Sequence, residues 1–522
     1  MNNQRKNHSI LKITLIILSL FFITGCNSQS TGTKTDSNQV MEKQFFTKIM
    51  VSFPAEVHPE PITGRILLFA STSDTREPRY ASNFSDSPVY AIDVTNLKPE
   101  QKLAFSIDMF YVSPGSLFSP NWYIDQGTYY IQALIDLDNT NPFFNYGPGN
   151  LYSQVIECNW PISTIETIEL VTNRIIEGKP PPEDTDRVKF VEIRSKLLSD
   201  FYGRDFNLRA GVVLPEEYNK MTEQHFRTLY CVPGFGGDYR SAWEQQDEGP
   251  QQFIRVYLDP TVPLGHSVFA DSANNGPCGQ ALIQELIPEI ERRFRAIPHA
   301  FGRFVTGHSS GGWSSLWLQV TYPDFFGGCW STAPDPVDFR AFQTMNIYED
   351  RNGHWTNEGY PRPMIREHNN IGPTFTQVNR WEYVVGDGYQ LGSFNAVFSP
   401  RGTDGKPRPI MDKLTGTIDP EVAEYWKNYD IRLILEENWS SLGPKLKDKI
   451  HVIAAAWDTY YLNRAVEYLN DFLKTTDYGG YVEVLPGNHG TIKTEQLFKR
   501  IEMEMAEQFT VAQKQFEQEN NM

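Results

Sequence analysis

Gly307, Ser309 and Gly311 stand in the order G-x-S-x-G within the stretch RFVTGHSSGGW, residues 303–313. A serine in that frame suits nucleophilic acyl chemistry, for a steric reason. The hydroxyl must be raised above a sheet on a tight turn in a strained backbone conformation. The positions two before and two after it must be tiny, so that strand and helix can approach. Ser310 in the same frame would need glycine at position 308, which is His308. Ser309 is therefore the candidate nucleophile, and the Ser310 amide is a candidate oxyanion donor.

A serine hydroxyl needs a base within hydrogen-bond reach, and the base needs an orienting partner. The histidines after Ser309 are His354, His368, His451 and His489. His451 opens an apolar run that reads as a buried strand, and His354 and His368 fall in a long irregular segment. His489, in VLPGNHG, lies in a loop after the last strand and is the candidate base. The candidate acid is Asp458, at the end of the apolar strand HVIAAAWD, where a carboxylate can accept from a histidine and fix its tautomer. A helix N-cap is the structural alternative for Asp458. Asp335 in STAPDPVDF, after the preceding strand, is the alternative acid. A second oxyanion amide is expected in PGFGGDY, from Phe235 or Gly236, because glycines let backbone approach a ligand. Asn274 and Asn275 lie near the same rim and read as a surface turn or as substrate contacts.

These residues need a scaffold. From Val188 onward, apolar runs such as TLYCVPG, FIRVYLD, RFVTG, FGGCWSTA, KIHVIAAA and GYVEVLP alternate with helical patterns. In GQALIQELIPEIERRFRAI, Leu282, Leu286, Ile290 and Phe294 share one helical face. Apolar strands alternating with amphipathic helices predict a mostly parallel sheet with helices on both faces, which places ligands at the strands' carboxyl ends. About 335–447 reads as an insertion, either a lid or pocket wall over those ends or a structural excursion, with one helix-like stretch near Glu421 to Trp426. From 44 to 176 the pattern is instead of short β runs (FTKIMVSF, GRILLFAS, PVYAIDV, TYYIQALIDL), predicting a β-sandwich domain. Its aromatics Trp122, Tyr123, Phe143, Phe144 and Tyr146 read as loop anchors or a carbohydrate platform. The Pro-rich, charged 177–187 is the expected linker, and 188–522 the catalytic domain.

At the start, Arg5, Lys6 and Lys12 precede a short apolar run, and Ile23-Thr24-Gly25-Cys26 resembles a bacterial lipobox. The expectation is a lipoprotein signal peptide over 1–25, lipidation of Cys26, and a polar tether over 26–43, which makes the chain an exported, membrane-anchored protein. Of the remaining cysteines, Cys158, Cys231, Cys278 and Cys329, the spacing matches no metal site. Buried thiols are expected, and a Cys278–Cys329 bridge is the alternative. The chain has 522 residues, 47 Lys and Arg against 64 Asp and Glu, and a net charge of −17 with scattered cations, which argues against nucleic acid as a partner.

In order, VVLPEEY, VPGFGGD, GHSSGGWSSLWLQVTYPDFFGG, WDTYY and PGNHG resemble the esterase D-like branch of the α/β-hydrolases, from about Val188 to the C-terminus. The resemblance implies an acyl-enzyme serine esterase without cofactor or metal, using Ser309, Asp458 and His489. An ester of a small molecule or polysaccharide, such as a polysaccharide-linked acyl or feruloyl ester, is the expected substrate. A siderophore esterase, an acyltransferase of the same fold and a catalytically inert glycan-binding lipoprotein are the alternatives.

Overall fold

The computed structural model describes residues 49–80, 88–105, 111–112, 127–138, 140–160, 167–244, 252–367 and 370–520. The leader, Cys26, the tether, Trp122, Tyr123 and His368 lie outside them.

The larger unit is an eight-stranded sheet. Its strands are β1 (Val188–Arg194), β2 (Asn207–Val213), β3 (Thr228–Val232), β4 (Ile254–Leu258), β5 (Arg303–His308), β6 (Gly328–Thr332), β7 (Ile450–Ala455) and β8 (Tyr481–Leu485), in the spatial order β1-β2-β4-β3-β5-β6-β7-β8. The pairings of β2 with β1 and β4 are antiparallel, and the pairings from β4 to β8 are parallel. Side chains alternate across this sheet. Tyr230, Val305, Cys329 and Val452 enter the main core. Their neighbours Leu229, Phe304, Trp330 and Ile453 face Leu497, Ile501 and Met505 of the C-terminal helix. Apolar strands are therefore read correctly as strands covered on both faces. This is the α/β-hydrolase fold.

Register decides where chemistry can gather. Val232 pairs with Gly307, His308 with Thr332, Thr332 with Ile453, and Ala455 with Leu485. The strand ends are thus level, and the loops after β3, β5, β6, β7 and β8 share one rim.

Five helices matter below: α1 (Ser310–Thr321), α2 (Phe375–Val385), α3 (Gln390–Phe398), α4 (Ile431–Leu446) and α5 (Glu495–Asn520). Residues 310–320 of α1 are all buried, as expected of a helix apolar on most of its surface. The helix expected over GQALIQELIPEIERRF runs from Cys278 to Arg293 with a π-helical turn at Leu282–Leu286. Phe294 is extended and ends the helix, yet it still packs against the core that holds Leu282, Leu286 and Ile290.

The region between β6 and β7 packs into the body of the sheet domain. Phe339, Phe375, Phe394, Phe398 and Trp426 belong to the same core as the sheet. The expected short helix is present at Pro420–Trp426, and α4 beyond it is the crossover that returns the chain to β7.

The N-terminal region has two facing sheets. Ile49–Ser52 pairs with Leu103–Ala104 and Ile168–Val171, and the second sheet is built on Ile62–Ser71, Val89–Leu97 and Gly127–Asp136. Ile49, Val51 and Leu170 from one sheet share a core with Ile66, Leu68, Ile92 and Ile131 from the other. Residues 177–187 carry no regular secondary structure. Cys158, Cys231, Cys278 and Cys329 are all free, so the alternative Cys278–Cys329 bridge is not formed.

Candidate active site

Ser309 sits between β5 and α1 at φ 61° and ψ −125°, a backbone region costly for any residue with a Cβ. The flanking glycines are needed in fact as well as in pattern. A Cβ on Gly307 would come within 2.2 Å of the Gly311 carbonyl oxygen, and one on Gly311 within 2.0 Å of the Val232 carbonyl oxygen. One on Gly312 would meet the Thr332 carbonyl oxygen at 2.6 Å. The elbow is therefore wedged between β3 and β6 with no room for a methyl group.

His489, in the loop after β8, pairs Nδ1 with Asp458 Oδ2 at 2.7 Å. Asp458 is fully buried. Its Oδ1 accepts from the amides of Tyr460 at 2.8 Å and Leu462 at 3.4 Å. The carboxylate therefore braces its own turn with one oxygen and the histidine with the other, but it is not the N-cap considered from sequence, because the next helix starts at Asn463 with Leu462 at its N-cap. Two rings hold the imidazole in place: His308 at 4.4 Å and Tyr460, edge-on, at 4.9 Å between centroids. His308 is kept neutral, because burial, with the neighbouring His489, pushes its pKa down to about 3.

Asp335 also reaches the rim, but it engages other partners. Its Oδ2 accepts from the Ser310 hydroxyl at 2.5 Å, and Gln390 Nε2 of α3 stands 3.5 Å away. Burial pushes its carboxyl up to about 6, against the pull of the Ser310 hydroxyl, and the Ser309 hydroxyl also faces it. Among the described residues the Ser309 hydroxyl makes no direct bond to His489. Such bonds commonly tighten only with substrate present.

The loop after β3 lies against the elbow. A Cβ on Gly234 would stand 3.2 Å from the His308 carbonyl oxygen and 3.5 Å from Ser309 Cβ. The Gly237 amide donates to the Gly234 carbonyl, which closes a tight turn around Phe235 and Gly236. Gly236 is exposed at φ 81°. From beneath, the buried His266 donates Nε2–H to the Pro233 carbonyl at 3.0 Å and accepts the Val268 amide at Nδ1. Those two bonds fix its tautomer, and burial pushes its pKa down to about 4.

The other sequence candidates fall elsewhere. His451 is a core residue, stacked on Trp330 and bonded to the Cys329 carbonyl. His354 is buried against Asn379. Asn274 and Asn275 are buried, not a surface turn. Asn274 Nδ2 donates to the carbonyls of Ala396 and Ser399, tying this rim to α3. Sequence reasoning missed His266, His308, Tyr460 and Gln390. Only His308 and Tyr460 carried a signal, being neighbours in sequence of Ser309 and Asp458.

Residues 205–382 match the family model "Putative esterase". No curated protein matches the sequence. Among solved structures, a ferulic acid esterase is similar at 12% identity with a TM-score of 0.39, over 62% of this chain and 99% of that one. A fluorophosphonate-binding serine hydrolase F from Staphylococcus aureus is similar at 15% identity with a TM-score of 0.36, over 61% and 97%. An S-formylglutathione hydrolase from Agrobacterium tumefaciens is similar at 11% identity with a TM-score of 0.38, over 62% and 95%.

Proposed function

We propose that this chain is an exported, lipid-anchored serine esterase in which Ser309, His489 and Asp458 form the triad. One observation carries the reading: a serine in a left-handed, glycine-flanked turn shares its rim with a histidine whose Nδ1 is held by a buried carboxylate.

Asp458 keeps the proton of His489 on Nδ1, which leaves Nε2 free to act as base. Nε2 takes the Ser309 proton as Oγ attacks the ester carbonyl. The negative oxygen is received by the amides of Ser310 and Phe235. Ser310 is the first residue of α1, so the helix dipole adds to its donor. Phe235 is preferred to Gly236 because it follows the glycine that touches the elbow. His489 then returns the proton to the leaving alcohol. A water repeats the attack on the acyl-enzyme and releases the acid, so no cofactor is required.

For the substrate we favour an acyl or feruloyl ester on a polysaccharide. Trp457, next to Asp458, is 65% exposed, and the Arg366 guanidinium lies 5.5 Å from its ring centroid. An exposed indole beside the acid loop offers the flat apolar face that a sugar ring packs against. Cys26 supplies the anchor in this reading.

Ser309→Ala should abolish turnover of p-nitrophenyl acetate and labelling by a fluorophosphonate probe, with the circular dichroism spectrum unchanged. Full activity in that variant overturns the mechanism.

A further inference from the structure

The loop after β3 has a third neighbour, which comes from the N-terminal region. Phe143 stands edge-on to Phe235, 5.7 Å between centroids and 77° between planes. It stands edge-on also to Tyr389, at 5.4 Å and 73°. Pro142 lies so close to Gly388 that a Cβ there would come within 2.7 Å of the proline ring. Tyr389 is held from its other sides by Trp381 at 4.5 Å and Phe144 at 6.0 Å. The next residue is Gln390, whose Nε2 lies 3.4 Å from Ser310 Oγ. One aromatic cluster therefore touches both the candidate oxyanion loop and the start of α3.

This contact has a firm base. Leu67, Phe69, Val89, Ala91 and Leu134, on the outer face of the N-terminal sheet, pack with Trp381, Val384 and Val385 of α2. Arg65 Nη1 donates to the carbonyls of Tyr383 and Val384 at 2.9 Å each. A tethered accessory module would not seal its sheet against the insertion in this way.

We propose that the N-terminal β-region is a working part of the active site, and that Phe143 is a positioning residue that holds the Phe235 amide in place. The proposal rests on the esterase reading above. Phe143 and Phe235 are half-buried, while Tyr389 packs against the core shared by the N-terminal sheet and α2, so the cluster joins that core to the oxyanion loop. Edge-to-face pairs set orientation as well as distance. A donor misplaced by an ångström is poorly aligned with the charge it must receive.

The test is steady-state kinetics on full-length Phe143→Ala and Phe143→Leu, with hydrogen exchange read over residues 233–237. Phe143→Ala should lower kcat for p-nitrophenyl acetate by roughly 10- to 100-fold with KM changed by less than about threefold. Exchange over 233–237 should quicken while β5 and β6 stay protected, and Phe143→Leu should recover most of both. Wild-type kcat together with wild-type exchange overturns the proposal. So does a lowered melting temperature with kcat unchanged, which would make Phe143 merely structural. If wild type and Ser309→Ala are equally inactive on all esters, the esterase reading fails instead. The exchange of residues 233–237 then decides whether Phe143 orders the loop.

Discussion

The loops after β6 and β7 make a natural experiment. Each follows a buried parallel strand, each ends on the same rim, and each brings a buried aspartate to it, Asp335 and Asp458, while Asp338, also buried after β6, is paired with Arg340 and Arg432. Asp458 meets the histidine and two backbone amides. Asp335 meets the hydroxyl of Ser310 and the amide side chain of Gln390, both neutral donors. Position in the fold therefore does not choose the acid; the partners do. Asp458 is gripped by donors of its own loop and by the histidine. Asp335 meets hydroxyl and amide side chains, and burial pushes its carboxyl up to about 6 against the pull of Ser310 and His489.

The contrast is most directly broken at Asp458. Asp458→Asn presents an amide to His489 and loses the tautomer control, so kcat for p-nitrophenyl acetate should fall on the order of 10⁴-fold. If Asp335→Asn costs more than Asp458→Asn, the two roles are exchanged. A smaller effect is expected at His266, which is buried, neutral and tied to backbone where His489 is paired with a carboxylate. His266→Phe removes the donor to the Pro233 carbonyl while keeping the ring volume. Stopped-flow and steady-state assays should show kcat lower by roughly 10- to 100-fold through the misplaced loop after β3. Unchanged kcat would show that this loop needs no support from beneath.

What could be read from sequence follows the same division. The elbow was legible because its geometry forbids side chains: Gly307 and Gly311 have no space for a Cβ, and that prohibition leaves a pattern of residue types at fixed spacing. Parallel strands were legible as continuous apolar runs. By contrast, α2, α3 and α4 fell in a stretch that showed only one short helix. Gly443 and Pro444 near the end of α4, and the glycines at 386, 388 and 392 around the start of α3, mask helical periodicity. The strand GRILLFAS read as half of a sandwich, yet Leu67 and Phe69 face α2 and not solvent. Apolar residues on both faces of that strand hinted at a second cover, but sequence does not say what provides it. Phe143 makes ring contacts and Gln390 side-chain hydrogen-bond contacts, neither of which requires a fixed sequence spacing, and so they left no motif.

The smallest kinetic effect should come from Asp335, and it is the one that sharpens the comparison furthest. Asp335→Asn keeps the volume and an acceptor for Ser310, so turnover at pH 8 should change by less than about tenfold. Its signature lies in pH. With its folded pKa raised from 3.8 to about 6 by burial, Asp335 is neutral below that value and charged above it. The wild-type rate profile should therefore carry a step near pH 6 that the asparagine variant lacks. Stability must respond as well. The unfolded carboxyl gives up its proton first, so the native state is progressively penalised as pH rises from 3.8 to about 6, and uniformly so above. Relative to wild type, Asp335→Asn should gain stability across that interval, on the order of 3 kcal/mol by pH 7, measured by urea unfolding at a series of pH values. A constant difference between the two proteins from pH 4 to pH 8 would mean that Asp335 stays charged throughout. It would then be an anion across the whole range, not a group that burial keeps neutral below about pH 6, and the distinction drawn between the two loops would fall.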